Sequence, residues 1–519
     1  MAALSPTAAA DGVLRVALRC NGQDVSDAVE ILSIQVRRAI NQVPSASLVL
    51  RDGDMPNQTF PCSDADTFVP GTEVEVRAGY GDSTQTIFKG IVVRQAVQIQ
   101  GDNDSRLTLE CRDPAIRLTA GQRSRVWADT TDGAVLEDLI QGHGLRASVQ
   151  ATTVQRRSLV QHGCTDWDFL LARAAANGLL VVPQDGTLNV TAPDTAQASA
   201  LEVSWGVDII DFHAELEARD LTQPFQQHRG RVRGYVRFQG SALAQVGAMV
   251  SLKGVGDRFK GDVLTTALTH HLADGTWLTD LTFGQPAPPA AEPVPGIEGL
   301  HVGVVVKLEG DPQGQHRVQV NVPAAGLEGL WAPLAQVQAS SGFGAFFVPE
   351  LGDEVLLGWL SQDPTCPVVL GSLYSSQRQP PYELRDDNPT RAIVTRCKSR
   401  LEFNDADQLI ALTTPGNNRV VISDKDRCIT LTDQNGNRVE LAPGGVTLHS
   451  PKDVHISAKG HLTLDAVGGV AIRSPGDVTL DGLNVHCSAQ VGFAGKGAAT
   501  AELSASGQTT VKGGMVMIN

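Results

Sequence analysis

Apolar residues recur every eighth position late in the chain: Val446, Val454, Leu462, Val470 and Val478, with Leu448, Ile456, Leu464, Ile472 and Leu480 two residues behind them. Repetition in one phase marks a repeat architecture. Within a unit the two apolar side chains share one face of an extended strand, while Thr, His, Ser, Asp and Arg take the other. Ser-Pro, Lys-Gly, Gly-Gly and Pro-Gly steps fall between units, so the chain turns a corner every eight residues. Eight residues reach at most ~26 Å, room for one strand and one corner. Such a strand cannot enclose a core alone. The repeat therefore predicts a homotrimer, a triangular prism in which three identical chains each give one side per level and the ten residues named above fill the axis. At about 4.8 Å per level the repeats build ~24 Å of shaft. Pairing between chains makes that shaft stiff, since bending would strain many backbone hydrogen bonds together. A single-chain β-solenoid is the rival reading. Against it, eight residues are too few for one chain to close a coil, and the calcium-binding G-G-x-G-x-D repeat is absent.

The rest of the text is mainly β. Short alternating strands punctuated by Gly and Asp fill 1–120, predicting a barrel. A second α+β or barrel domain is read over 121–284, where Thr131-Asp132-Gly133 caps one helix and 166–177 forms another, closing at Gly178. A Pro-rich linker follows at 285–298. Five or six short strands over 299–375, with Gly344 to Phe347 read as one of them, suit an OB-type barrel. A second linker, 376–400, precedes the repeat domain, 401–519. There, weaker strand pieces lead into the repeats, the register breaks after Leu480, and the text ends on Met515, Val516, Met517, Ile518 and Asn519. Apolar residues at the end of a prism would need a cap, so these five are expected to bind a tip protein.

Composition narrows the function. The 57 acidic and 42 basic residues leave a net charge of −15 and no basic block, a poor fit to nucleic acid or an anionic membrane surface. The eight scattered cysteines lack C-x-x-C spacing and read as buried, reduced thiols of a protein folded in the cytoplasm. No secretory signal or transmembrane run is visible.

Candidate chemistry is sparse. Glu215 and Glu217 alternate on a strand without forming a cleft. His270 and His271 lack a third metal ligand and read as surface or barrel rim. His449, His455, His461 and His486 could each triplicate on a threefold axis, but none forms an H-x-H pair and their phase is mostly outward. Gly303, Gly342 and Gly344 lack the Lys-Ser/Thr and helix of a phosphate loop. Trp167 and Phe169 read as helix core. No catalytic, cofactor or metal residue is assigned.

Several blocks carry a resemblance. His301 to Val306, Asp311-Pro312, Arg317 to Pro323, Trp331-Ala332-Pro333, Gly342 to Glu350, Gly352 to Val355 and Pro367 to Tyr374 resemble the OB domain of contractile-tail spikes. These comprise the valine-glycine repeat protein G (VgrG) family of type VI secretion, phage baseplate assembly protein V and extracellular injection spikes. Phe88 to Val92, Gln161 and Asp166 to Phe169 are similar to the phage tail-hub or late-control protein D module. The resemblance implies a structural homotrimeric spike. Its hub barrels would sit on the inner tube among baseplate proteins, and a proline-alanine-alanine-arginine (PAAR) repeat protein would cap its tip. It would carry effector cargo into a target membrane that it pierces mechanically, without enzyme activity. The 25 or so residues after Tyr374 leave no room for an inserted lysozyme domain, and no effector follows Asn519. The short shaft and the absent effector favour an extracellular or phage-like particle over type VI secretion. A trimeric tail fibre or adhesin is the alternative, and an enzyme on cell-wall polymers has no site behind it.

Overall fold

Alternating apolar residues build most of this chain into antiparallel strands. The computed structural model describes residues 3–82, 84–101, 104–193, 199–217, 231–284 and 295–518. The linker read at 285–298 and Asn519 therefore lie wholly or largely outside the described residues. Two units are compact in themselves, 1–380 and 381–519.

In the first unit, Leu14–Cys20, Ile31–Ala39, Ser45–Arg51, Glu73–Tyr80, Gln85–Ile99 and Ser105–Arg112 form an antiparallel wall. Val74, Val76, Leu48, Leu50, Leu107 and Leu109 point into one core, as period-2 alternation requires. The stretches read as 1–120 and 121–284 are not separate sheets. Gly261–Ala273 pairs with Ile31–Ala39, from Ala267 opposite Ala39 to Ala273 opposite Ser33. Leu272 and Trp277 thereby enter the first core. Leu201–Ser204, Ile209–Glu217, Arg231–Gln239, Met249–Lys253 and Thr276–Gly284 complete the second barrel. At Gly240 a Cβ would lie 2.0 Å from the Trp277 ring, so the close approach demands glycine.

Between these barrels, two helices form where Thr-Asp dipeptides start them. Thr131 Oγ1 accepts from Ala134 N and Thr165 Oγ1 from Asp168 N, capping Asp132–Gly142 and Asp166–Ala176. The second helix is followed by Gly178 at φ +68°, as its closing glycine predicts.

The collar sheet runs in the order Leu327–Ala332, Val318–Val322, His301–Lys307, Glu354–Trp359, Pro367–Leu373, all antiparallel. Its core of Val305, Val320, Leu327, Val355 and Val369 also receives Val160 from the preceding domain. Asp311 braces the long loop between His301–Lys307 and Val318–Val322. Its carboxylate accepts from Arg317 and from the backbone N–H groups of Gln313, Gln315 and Arg317, which together hold it far below the usual carboxylate range. The expected strand Gly344 to Phe347 is instead a two-residue piece, Phe343–Gly344, after which Phe346 and Phe347 are exposed.

In the second unit, Thr390–Val394, Arg400–Asn404, Leu409–Thr413, Arg419–Ser423, Cys428–Thr432, Arg438–Ala442 and Gly445–His449 form one antiparallel meander. The first strand occupies part of 376–400, so that stretch is not all connector. Residues 450–518 form no strand ladder within the chain, and only the first of the eight-residue units, at Val446 and Leu448, lies in a strand. Among the described residues, no helix is long and apolar enough to cross a membrane.

Candidate functional site

Cross-strand register turns the two-apolar pattern into a continuous face. One column runs Ile393, Leu401, Leu412, Val420, Leu431, Val439, Leu448, each directly opposite the next. A parallel column runs Phe403, Ile410, Ile422, Ile429, Leu441, Val446. The other face carries Glu402, Ala411, Val421, Thr430, Glu440 and Thr447. There Tyr382 donates to Glu402 at 2.9 Å, and Ala411 is buried.

The apolar face is uncovered. Ile429 is 38% and Leu412 49% exposed, and the first column lines an open groove of about 670 Å³. The repeat residues are all more than half exposed, from 53% at Val454 to 74% at Val446. Contiguous apolar surface on this scale marks an assembly face. Covering a half-exposed aliphatic side chain recovers roughly 1 kcal/mol. With about twenty such residues per chain, the gain exceeds the ~4–15 kcal/mol entropic cost of association. Chemically the face is inert: aliphatic side chains neither transfer protons nor hold ligands.

The remaining candidates disperse. Met515, Met517 and Ile518 are exposed and Val516 is 49% so, with Asn519 outside the described residues. Glu215 is ion-paired to Arg233 on an exposed strand face, and the Glu217 side chain lies outside the described residues. Among the described residues, no group of three His, Cys, Asp or Glu is placed to hold a metal within one chain. Gly342 (φ +81°) and Gly344 (φ +141°) belong to a hairpin, while Gly303 lies in a strand. Trp167 and Phe169 are buried in the helix core.

Two expectations need correction. His270 is not on the surface or rim: it is 2% exposed, with its Nδ1 beside the Thr279 hydroxyl at 2.8 Å and accepting from Trp277 Nε1 at 3.3 Å. Neighbours on a strand face opposite ways, so His271 alone points outward and pairs with Asp280. Nor are all cysteines buried. All are free, but Cys366, Cys397 and Cys487 are exposed.

Sequence reasoning missed the buried carboxylates. Asp132 is fully buried between Arg173, at 2.5 Å, and Arg156, at 3.1 Å. Burial favours its neutral form, but bonds from Arg173, Asn177 and Arg156 outweigh that and lower its pKa. Asp166 is likewise held by His143 at 2.7 Å and Gln161 at 2.9 Å. The signal was present in the paired Thr-Asp helix starts, whose aspartates face inward.

Comparison with known proteins agrees with this layout. The family described as "Alg8 N-terminal domain" matches residues 10–227 and 222–274, together more than half of the chain. The "Type VI secretion system/phage-baseplate injector OB domain" matches 301–374. The type VI secretion system spike protein VgrG4b of Pseudomonas aeruginosa is 33% identical over 121 residues, 22% of this chain and 15% of that protein. The actin cross-linking toxin VgrG1 of Vibrio cholerae is 28% identical over 123 residues, 22% of this chain and 11% of that protein. The chain thus matches under a fifth of these relatives' length. In fold, it resembles the E. coli c3393 protein, a type VI secretion component (TM-score 0.50, 15% identity, 69% of this chain and 99% of that one). It also resembles a chain of the Francisella PdpA–VgrG complex (TM-score 0.52, 9% identity, 84% of this chain and 80% of that one).

Proposed function

The chain belongs to the Alg8 N-terminal domain family and is a VgrG-like structural spike, and from that premise we propose that three copies form the central spike of a contractile injection baseplate. The uncovered apolar face from Ile393 to Leu448, continued by Val454, Ile456, Leu462, Leu464, Val470, Ile472, Val478 and Leu480, carries this reading. Three such faces turned inward form a prism whose axis is filled by these side chains. The 10–284 barrels would engage the inner tube and baseplate proteins, and the 301–374 barrel would act as the collar. The spike transmits the force of contraction to the target membrane and performs no chemistry. Met515 to Ile518, with Asn519, are the proposed seat of a PAAR-type tip protein, through which effector cargo would ride. The machine is an injection particle assembled from the cytoplasm, of either the extracellular or the type VI kind.

Native mass spectrometry tests the assembly. Three copies of a 54.9 kDa chain give about 165 kDa, and a monomer at micromolar concentration would overturn the proposal. Pull-down of a PAAR-repeat protein by the full chain, but not by a Val516→Asp and Ile518→Asp double variant, tests the tip.

A further inference from the structure

Hairpin turns join the strands of the 390–449 meander alternately at two opposite rims, and these rims differ in charge. One carries Arg396, Lys398, Arg400, Arg419 and Arg438 against a single acid, Asp433. The other carries Asp405, Asp407, Asp424 and Asp426 against Arg391, Lys425 and Arg427. Most of these groups are satisfied within the chain. Arg400 pairs with Glu402, Arg438 with Glu440, Arg391 with Asp405 and Lys425 with Asp407, and Asp426 accepts the Ser423 hydroxyl. Among the described residues, the Lys398, Arg419, Asp424 and Arg427 side chains are left without an ion-pair or hydrogen-bond partner. Of these, Arg419 and Asp424 flank one strand, Arg419–Ser423. Five residue steps separate them by about 17 Å, so they cannot meet within one chain.

Three sheets that close a ring around an apolar axis must each present one rim to the opposite rim of the next copy, a heterologous contact. At equal height that contact sets the start of the Arg419–Ser423 strand in one copy against its far end in the next. We propose that the meander's corners are closed by Arg419 of one copy pairing with Asp424 of its neighbour, the occupant of each rim being a second copy of this chain. The pairing rests on the trimeric reading above. It adds a register: a copy displaced by one strand along the axis would not align the two groups.

The test uses the full chain with Arg419→Glu, Asp424→Lys and the two combined. An exposed pair contributes up to about fivefold in binding, so three corners compound to roughly a hundredfold. Each single variant is expected to raise the trimer's dissociation constant by about that factor in 50 mM salt. The double variant, which restores the pair with its charges exchanged, should return to within about tenfold of the unmodified chain. The differences should shrink in 1 M salt, where screening acts within about 3 Å. Single variants indistinguishable from the unmodified chain, or a double variant as weak as the two losses combined, would overturn the corner pairing while the trimer stands. An unmodified chain that is monomeric would instead overturn the trimeric reading, and the corner with it.

Discussion

Leu412 and Val420 sit directly opposite one another on adjacent strands, with Leu412 49% exposed on a sheet face that nothing among the described residues covers. Their pairing is one rung of a ladder that continues into the eight-residue repeat. If copies bury this face, a charge here is placed three times on one axis.

Leu412→Asp should therefore abolish the trimer. Desolvating unpaired carboxylates costs several kcal/mol, so we expect a weakening of at least about a thousandfold and a lone 54.9 kDa species in native mass spectrometry. The far-ultraviolet circular dichroism of the barrels should persist, because the substitution lies outside the first unit.

His270 gives the first unit a pH dependence. Burial pushes its pKa from 6.5 down to about 3. The unfolded chain therefore binds a proton below about 6.5 that the fold refuses until about 3. Stability contributed by the neutral ring is complete above 6.5 and falls as pH drops through that window, by at most ~1.4 kcal/mol per pH unit. Urea midpoints measured from pH 7 to pH 4 should fall more steeply in the unmodified chain than in His270→Gln.

Removing a buried carboxylate should cost more than removing an exposed one. Asp132→Asn leaves the partly exposed Arg173 and Arg156 facing a buried neutral group, and is expected to destabilise the first unit by about 3 kcal/mol. Asp405→Asn breaks only the exposed pair with Arg391 and should change stability by under ~1 kcal/mol. Chemical denaturation followed by the tryptophans checks the first, and differential scanning calorimetry the second.

Thiol reactivity should separate the cysteines sharply. Hydrogen bonds from Ser399 and Thr395 lower the exposed Cys397 thiol to about 7, whereas burial raises Cys20 and Cys164 to about 11 and Cys111 to about 12. Since the thiolate is the nucleophile, mapped alkylation by iodoacetamide at pH 7 should mark Cys397 before any other. Cys111 should stay unlabelled until the chain is unfolded. A Ser399→Ala variant should slow Cys397 labelling, because the first of its stabilising hydrogen bonds is gone.

Much of this protein is legible in its residues because its signals are local. The two-residue apolar alternation marks a shared strand face, which the structure shows from Ile393 to Leu448, while the later eight-residue units form no strand within the chain. Thr131 and Thr165 announce helix starts, and the block order from His301 to Tyr374 announces the collar barrel. What could not be read depends on residues far apart in the chain. Alternation places His270 and His271 on opposite faces but does not say which face meets a core. The hairpin of Gly261–Ala273 with Thr276–Gly284 brings Trp277 over His270, but only the pairing of Gly261–Ala273 with Ile31–Ala39 merges two stretches that read as separate domains. The partners of the buried Asp132 lie 24 and 41 residues away. The sequence by itself determined most of the strands before residue 450 and which of their faces are apolar. The tertiary structure decided the register that stacks Ile393 through Leu448 into one ladder, because backbone hydrogen bonds between strands specify which residues become neighbours, and a pattern along one strand does not.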